Sequence, residues 1–195
     1  RELGLYMQKY CGCIFSEEMR YYNRNATKLS IPNGYEIPRE PRMQVKKIEN
    51  KEDYIDLLLE ADPSKDMIHK YLADSDVYAL KKEDELISIA VISTISRKTL
   101  ELKNLVTREN YRNKGYAKIL LKSLCGNYKQ KYDRMLVGTT ENNIPFYVKQ
   151  GFDKYEKTIK NFFIDNYNEE IKDGDLICTD LIYYSKDLKR KVKDN

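Results

Sequence analysis

The chain has 195 residues, of which 41% are hydrophobic and 34% charged, enough for one folded domain with a sizeable core and an appendage. Its formal net charge of +4 is only a mild excess of lysine and arginine. A nonspecific nucleic-acid binder shows a stronger basic stripe, so nucleic acid is not expected as a partner of the isolated domain. There is no apolar run long enough to span a bilayer and no secretory leader, which leaves the cytoplasm as the expected location and no membrane as partner.

Residues 1–43 read as an N-terminal arm and linker. The arm carries Tyr10-Cys11-Gly12-Cys13-Ile14-Phe15-Ser16, and Pro32, Asn33, Gly34, Pro38 and Pro41 mark an extended connection. Closely spaced thiolates such as Cys11 and Cys13 suit zinc or an iron-sulfur cluster, but they supply only two ligands. Cys125 sits on the apolar face of a helix and Cys178 at the start of a predicted strand, so neither is an obvious third ligand. Two reduced cysteines are the plainer account, and no metal is expected.

Residues 44–188 read as the folded domain and 189–195 as a charged tail. Gln44 to Ile48 predicts a strand, and Glu52 to Ala61 a short helix carrying Tyr54, Ile55, Leu57, Leu58 and Leu59. Asp62-Pro63-Ser64 breaks the chain before a second helix with Met67, Ile68, Tyr71 and Leu72 on one face. Val77 to Leu80, Leu86 to Ile95 and Thr99 to Val106 predict a three-stranded meander. Ala117, Leu120, Leu121, Leu124 and Tyr128 recur at helical spacing, and Met135 to Gly138 reads as the next strand. Tyr155 to Ile164 and Ile177 to Tyr184 predict two last strands, joined by a polar connection long enough to carry function.

The loop Arg112-Asn113-Lys114-Gly115-Tyr116-Ala117 delivers a strand into a helix. The first N–H groups of a helix have no internal acceptor, Gly115 permits close backbone approach, and Arg112 and Lys114 add positive charge. A phosphate or pyrophosphate suits that end. The Gly-x-x-x-x-Gly-Lys-Ser/Thr pattern of P-loop kinases and the three-glycine Rossmann fingerprint are both absent.

This loop resembles the Arg/Gln-x-x-Gly-x-Gly/Ala motif of the GNAT acyltransferases, which receives the pyrophosphate of acetyl-coenzyme A. Phe146-Tyr147-Val148-Lys149-Gln150-Gly151-Phe152 resembles the family's later Phe-Tyr-x-Lys-x-Gly-Phe segment. The resemblance covers about residues 44–188, with the specific motifs between 105 and 152. It implies an α/β (α+β) fold with a central mixed, mostly antiparallel sheet flanked by helices. It also implies an N-acetyltransferase that uses acetyl-CoA as cosubstrate and a small-molecule or peptide amine as acceptor, attacking directly in a ternary complex. Pairing of two copies through the late strands is left open.

Acetyl transfer to an amine needs a neutral nucleophile, a proton source for the departing thiolate and an N–H for the tetrahedral oxyanion. The resemblance places Tyr147 as the general acid. It places backbone N–H groups of Arg112, Asn113, Lys114, Gly115, Tyr116 and Ala117 on the pyrophosphate, and backbone near Leu105, Val106 or Thr107 on the oxyanion. Where relatives carry an asparagine and an alanine before the Phe-Tyr pair, this chain has Thr140 and Asn143, which makes Asn142 or Asn143 the candidate replacement on the cofactor. Glu101 occupies a region where relatives place a carboxylate base; its alternation with Lys103 supports an exposed ion pair equally well. His69, the single histidine, is expected on the surface, away from the motifs.

Leu5 to Ser16 also resembles the C-terminal end of the iron-sulfur epoxyqueuosine reductases that act on tRNA. That likeness implies a parent polypeptide fusing reductase and acyltransferase, with residues 1–43 as its remnant here. On the alternative reading the domain is a noncatalytic acyl-CoA-binding or interaction module of such a fusion.

Overall fold

A computed structural model describes residues 43–189. Cys11 and Cys13, and with them the reductase-like segment, lie outside the described residues.

Strand β1 (Met43–Ile48) is followed by a 3-10 turn over Lys51–Tyr54 and the single α-helical turn α1 (Ile55–Leu58). The helix predicted over Glu52 to Ala61 is therefore split and shorter, although Ile55, Leu57 and Leu58 are buried as its apolar spacing requires. Helix α2 (Lys65–Leu72) starts where Ser64 accepts the Met67 N–H at 3.3 Å, a side-chain N-cap placed directly after Pro63. Strands β2 (Ser75–Lys82), β3 (Glu85–Ser96) and β4 (Thr99–Thr107) form the expected antiparallel meander. Helix α3 (Tyr116–Tyr128) leads to β5 (Arg134–Thr139), and α4 (Ile144–Lys149) to β6 (Lys154–Ile159).

The C-terminal third departs from the sequence reading. The strand predicted to Ile164 stops at Ile159, because Asn161 takes a left-handed conformation at φ 55° and opens helix α5 (Phe162–Asn166). Asp180 fixes that turn by accepting the Asn161 N–H at 2.9 Å and the Lys160 ammonium at 2.6 Å. The strand predicted over Ile177 to Tyr184 is likewise divided. Leu176–Ile177 (β8) pairs with Lys172–Asp173 (β7) around Gly174, and β9 begins only at Leu181 and runs to Asp187. Cys178 belongs to neither strand; its N–H donates to the Ile171 carbonyl.

Among the described residues the main sheet has seven strands in the order β1-β2-β3-β4-β5-β9-β6. All neighbours are antiparallel except β4 and β5. One face packs Leu100, Leu102, Met135 and Val137 against Leu120, Leu121 and Leu124 of α3. The other packs Val77, Ala79, Ile89 and Val91 against Leu58, Ile68 and Leu72 of α1 and α2. Strand alternation thus divides the core into two layers.

The turn after α4 explains the Lys-x-Gly-Phe spacing. Gly151, at φ 87°, donates to the Val148 carbonyl and the Phe152 N–H returns to the Tyr147 carbonyl, which is a Schellman ending. Phe152 is then driven fully into the α3-side core, 5.8 Å from the Tyr147 ring. Phe152→Ala is expected to lower unfolding stability by about 3–5 kcal/mol, measured by urea titration, with helix α4 losing its seat.

Candidate active site

Strands β4 and β5 pair in parallel only from Thr99↔Arg134 to Leu102↔Val137. Strand β4 continues to Thr107 and β5 to Thr139, so past this point the two diverge and leave a slot in the middle of the sheet. The cause is visible in the β3–β4 register, which jumps from Ile92↔Leu102 to Val91↔Asn104 and leaves Lys103 as an extra residue. Such a bulge bends the strand that carries it, and here it falls where pairing with β5 ends.

Ladder alternation decides which β4 groups face the slot. Arg108 donates to the Ile87 carbonyl, so the bonded pairs with β3 fall on Val106 and Asn104, and the backbone groups of Leu105 and Thr107 point away from β3. Of the three residues expected near the oxyanion, Val106 thus has its N–H in the β3 ladder, and its carbonyl also accepts the Ser88 hydroxyl at 2.6 Å. Leu105 and Thr107 are the slot-facing pair.

The loop after β4 is braced from inside. The Arg112 N–H donates to Glu109, its Nε to the Thr107 carbonyl at 3.1 Å, and its guanidinium meets Glu60 at 2.6 Å. Lys114 turns its ammonium onto the Asn110 carbonyl at 2.8 Å. Both cations that the sequence suggested as free charge therefore hold the loop's shape. Asn113 at φ 60° and Gly115 at φ 83° reverse the chain, and Tyr116 stacks edge-on with Tyr111. The α3 ladder starts only at Ile119, whose N–H donates to Gly115, so the first-turn N–H groups that include Tyr116 and Ala117 are left for an outside acceptor. Nothing lies within 4 Å of where a Gly115 side chain would begin.

Tyr147 sits on α4, packed against the α3-side core between Phe146 and Phe152. Burial pushes its phenol well above the ordinary tyrosine value, so it is protonated at neutral pH. Glu101 is only 7% exposed and lies on the opposite sheet face, since Leu100 and Leu102 beside it both join the α3-side core. The ion pair with Lys103 that its alternation suggested is present at 2.8 Å, but it is buried on the glutamate side rather than exposed. Tyr183 of β9 adds a hydrogen bond to the same carboxylate at 3.1 Å.

Asn142 and Asn143 do not turn their amides to the slot. Asn142 donates to the Asp173 carbonyl at 2.6 Å and Asn143 to the Asp173 carboxylate at 2.7 Å, which also receives the Thr140 hydroxyl. They hold the β7–β8 hairpin instead. His69 is exposed, 3.6 Å from Glu52, in keeping with its expected place. Among the described residues no group of three or more histidine, cysteine, aspartate or glutamate side chains is placed to hold a metal, and no helix is long and apolar enough to cross a membrane.

A second polar cluster escaped the sequence reading. Asp62, after α1, accepts the Tyr71 hydroxyl at 3.2 Å and the Tyr167 hydroxyl at 3.1 Å, while Asn104 donates to Tyr71 and to the Leu58 carbonyl. Burial pushes the Asp62 carboxyl up despite those bonds. The cluster ties the end of α5 to the α1–α2 turn, and no local motif signals a contact between positions so far apart.

The sequence profile of the acetyltransferase (GNAT) family matches residues 39–152, more than half of the chain. The chain belongs to the GNAT acetyltransferase family. It is 31% identical over 144 residues to an uncharacterized N-acetyltransferase, YvbK, of Bacillus subtilis strain 168, covering 72% of this chain and 92% of that one. A GNAT acetyltransferase from Elizabethkingia anophelis, solved with acetyl-CoA bound, shares 33% identity at a TM-score of 0.70, over 74% of this chain and 97% of its own. A Bacillus subtilis acetyltransferase solved with CoA shares 28% identity at a TM-score of 0.65, over 75% and 99%. The expected GNAT fold, a mixed sheet flanked by helices, is thereby established.

Within this GNAT domain the Gly115 conformation has a direct check. Gly115→Ala is expected to lose roughly 1 kcal/mol of stability or more in urea unfolding, because alanine is strained at positive φ although its methyl meets no neighbour. Unchanged stability would show that the turn relaxes at no cost.

Proposed function

We propose that this protein transfers an acetyl group from acetyl-CoA to an amine by direct attack in a ternary complex. The observation that carries this reading is a slot between β4 and β5 that opens beside the uncapped start of α3. The two solved relatives with acetyl-CoA and with CoA bound support the same donor.

In this assignment the N–H groups of Asn113, Lys114, Gly115, Tyr116 and Ala117 receive the pyrophosphate, with Arg112 as the brace that shapes them. Asn142 and Asn143 are left out, because their amides serve Asp173. The acyl arm lies along the slot-facing backbone of β4, where the N–H of Leu105 or Thr107 meets the developing oxyanion. Glu101 takes a proton from the amine, directly or through water, as the nitrogen lone pair attacks the thioester carbon. When the carbon–sulfur bond breaks, Tyr147 gives its proton to the thiolate. The base and the acid approach from opposite faces of the sheet, and the slot joins them.

The phenol of Tyr147, raised by burial, stays protonated through neutral pH and above its ordinary value of about 10. Turnover is accordingly expected to show no decline from Tyr147 ionisation as pH rises from about 8 to about 10, a range in which an unperturbed tyrosine begins to lose its proton. Tyr147→Phe is expected to lower kcat by about 10²-fold or more while calorimetric binding of acetyl-CoA survives. Free CoA release, followed with a panel of small primary amines, measures the first quantity. Undiminished turnover in Tyr147→Phe would remove this residue from the mechanism, and binding of acetyl-CoA without turnover on any amine would favour the noncatalytic binding module.

A further inference from the structure

The β4–β5–β9 register places Glu101 one row from a glycine. Glu101 pairs with Leu136 of β5, and two residues further along β5 Gly138 pairs with Tyr183 of β9. Tyr183 therefore stands two strands away from β4 on the same face as Glu101. Its hydroxyl reaches the Glu101 carboxylate only by crossing β5, and the crossing point is Gly138. A β-carbon built on Gly138 would stand 3.1 Å from Cζ of Tyr183 and 3.1 Å from Cδ1 of Leu181, closer than such contacts normally are. Glycine in a strand interior weakens the strand and marks a close approach by another group. Here the approaching group is the Tyr183 ring.

Tyr183 and Lys103 fall on the same oxygen. The phenol donates to Oε1 at 3.1 Å and the Lys103 ammonium meets Oε1 at 2.8 Å. Among the described residues no side-chain hydrogen bond falls on Oε2, and the glutamate as a whole keeps 7% of its surface exposed. One oxygen is anchored and the other is presented, at the last rows before β4 and β5 part. Lys157 of β6 lies 4.9 Å from the centre of the Tyr183 ring and backs it from the far side. Burial and the Glu101 carboxylate push the Tyr183 phenol up, so it remains a donor throughout the working range.

We infer that Tyr183 is a positioning residue for the reaction: reaching over Gly138, it fixes Oε1 of Glu101 together with Lys103 so that Oε2 faces the acceptor amine. The inference rests on the reading of Glu101 as the base. Gly138 is the enabling position, since a side chain there displaces the ring by a few tenths of an ångström.

The test pairs spectroscopy with a double-mutant cycle on the 195-residue chain. Glutamate carboxylates are labelled with carbon-13, and the infrared band of Glu101 is assigned by its loss in Glu101→Gln. In Tyr183→Phe that band is expected to move, as it must when a phenol stops donating to the carboxylate; an unmoved band overturns the contact. With acetyl-CoA and a panel of small primary amines, Tyr183→Phe is expected to lower kcat about tenfold at unchanged KM for acetyl-CoA. Gly138→Ala should do the same to a smaller degree. In the Glu101→Gln background Tyr183→Phe should add nothing, because its effect passes through the carboxylate. An additive loss would overturn positioning and leave only a packing role. If Glu101→Gln itself keeps full turnover, the base assignment fails, whereas full turnover in Tyr183→Phe with Glu101→Gln impaired defeats the positioning inference alone.

Discussion

Everything in the site depends on two neighbouring parallel strands losing their partnership partway along. A parallel pair that continued beyond Leu102↔Val137 would satisfy the β4 backbone and close the sheet. The bulge at Lys103 prevents this by bending β4, and it leaves the slot-facing N–H groups of Leu105 and Thr107 without a strand partner in the middle of the sheet, while the Thr107 carbonyl is taken by Arg112. The cost of unpaired backbone is offset when an extended ligand supplies the missing ladder, which is the role proposed for the acyl arm. The adjoining α3 terminus lies at that divergence, with Tyr147 and Glu101, the residues proposed as acid and base, on opposite faces of the sheet.

Local chemistry makes much of this legible in the sequence. The meander follows from apolar runs at Val77 to Leu80, Leu86 to Ile95 and Thr99 to Val106 set off by polar turns, and α3 from its apolar face at spacings of three and four. The Gly115 and Gly151 turns are readable because each is a residue that tolerates positive φ at the edge of a helix. Tyr147 is singled out by the resemblance of its segment to the family's Phe-Tyr-x-Lys-x-Gly-Phe pattern, and the Schellman ending that seats Phe152 gives that run of consecutive residues a structural reason.

What the sequence hid was non-local. The predicted strand at Tyr155 to Ile164 contains Phe162 and Phe163, both at home in a strand, but Asp180, nineteen and twenty residues beyond Asn161 and Lys160, and the Thr179 carbonyl, which accepts the Phe163 N–H, hold it in a turn. Asn142 and Asn143 suggest cofactor contacts until Asp173 is seen to occupy them. Arg112 and Lys114 read as anion-seeking charge, yet the nearest unsatisfied carbonyls and Glu60 claim them first. Tyr183 gave no signal because its contact with Glu101 depends on β9 lying beside β5, a neighbour relation that skips β6. Gly138 was the one trace, an isolated glycine inside a strand pattern whose reason lay in another strand.

The strand order also sets a timetable for folding. Strand β9, the last among the described residues, lies between β5 and β6, so β5 keeps an open hydrogen-bonding edge until almost the whole domain has been synthesised. Open edges recruit other chains, and contacts of large sequence separation form slowly. The early meander and α3 can therefore be assembled while the emerging polypeptide still exposes that edge to its neighbours. Insertion of β9 quenches the hazard and in the same motion brings Tyr183 to Glu101, so the carboxylate gains its tyrosine anchor only in a chain that has finished folding.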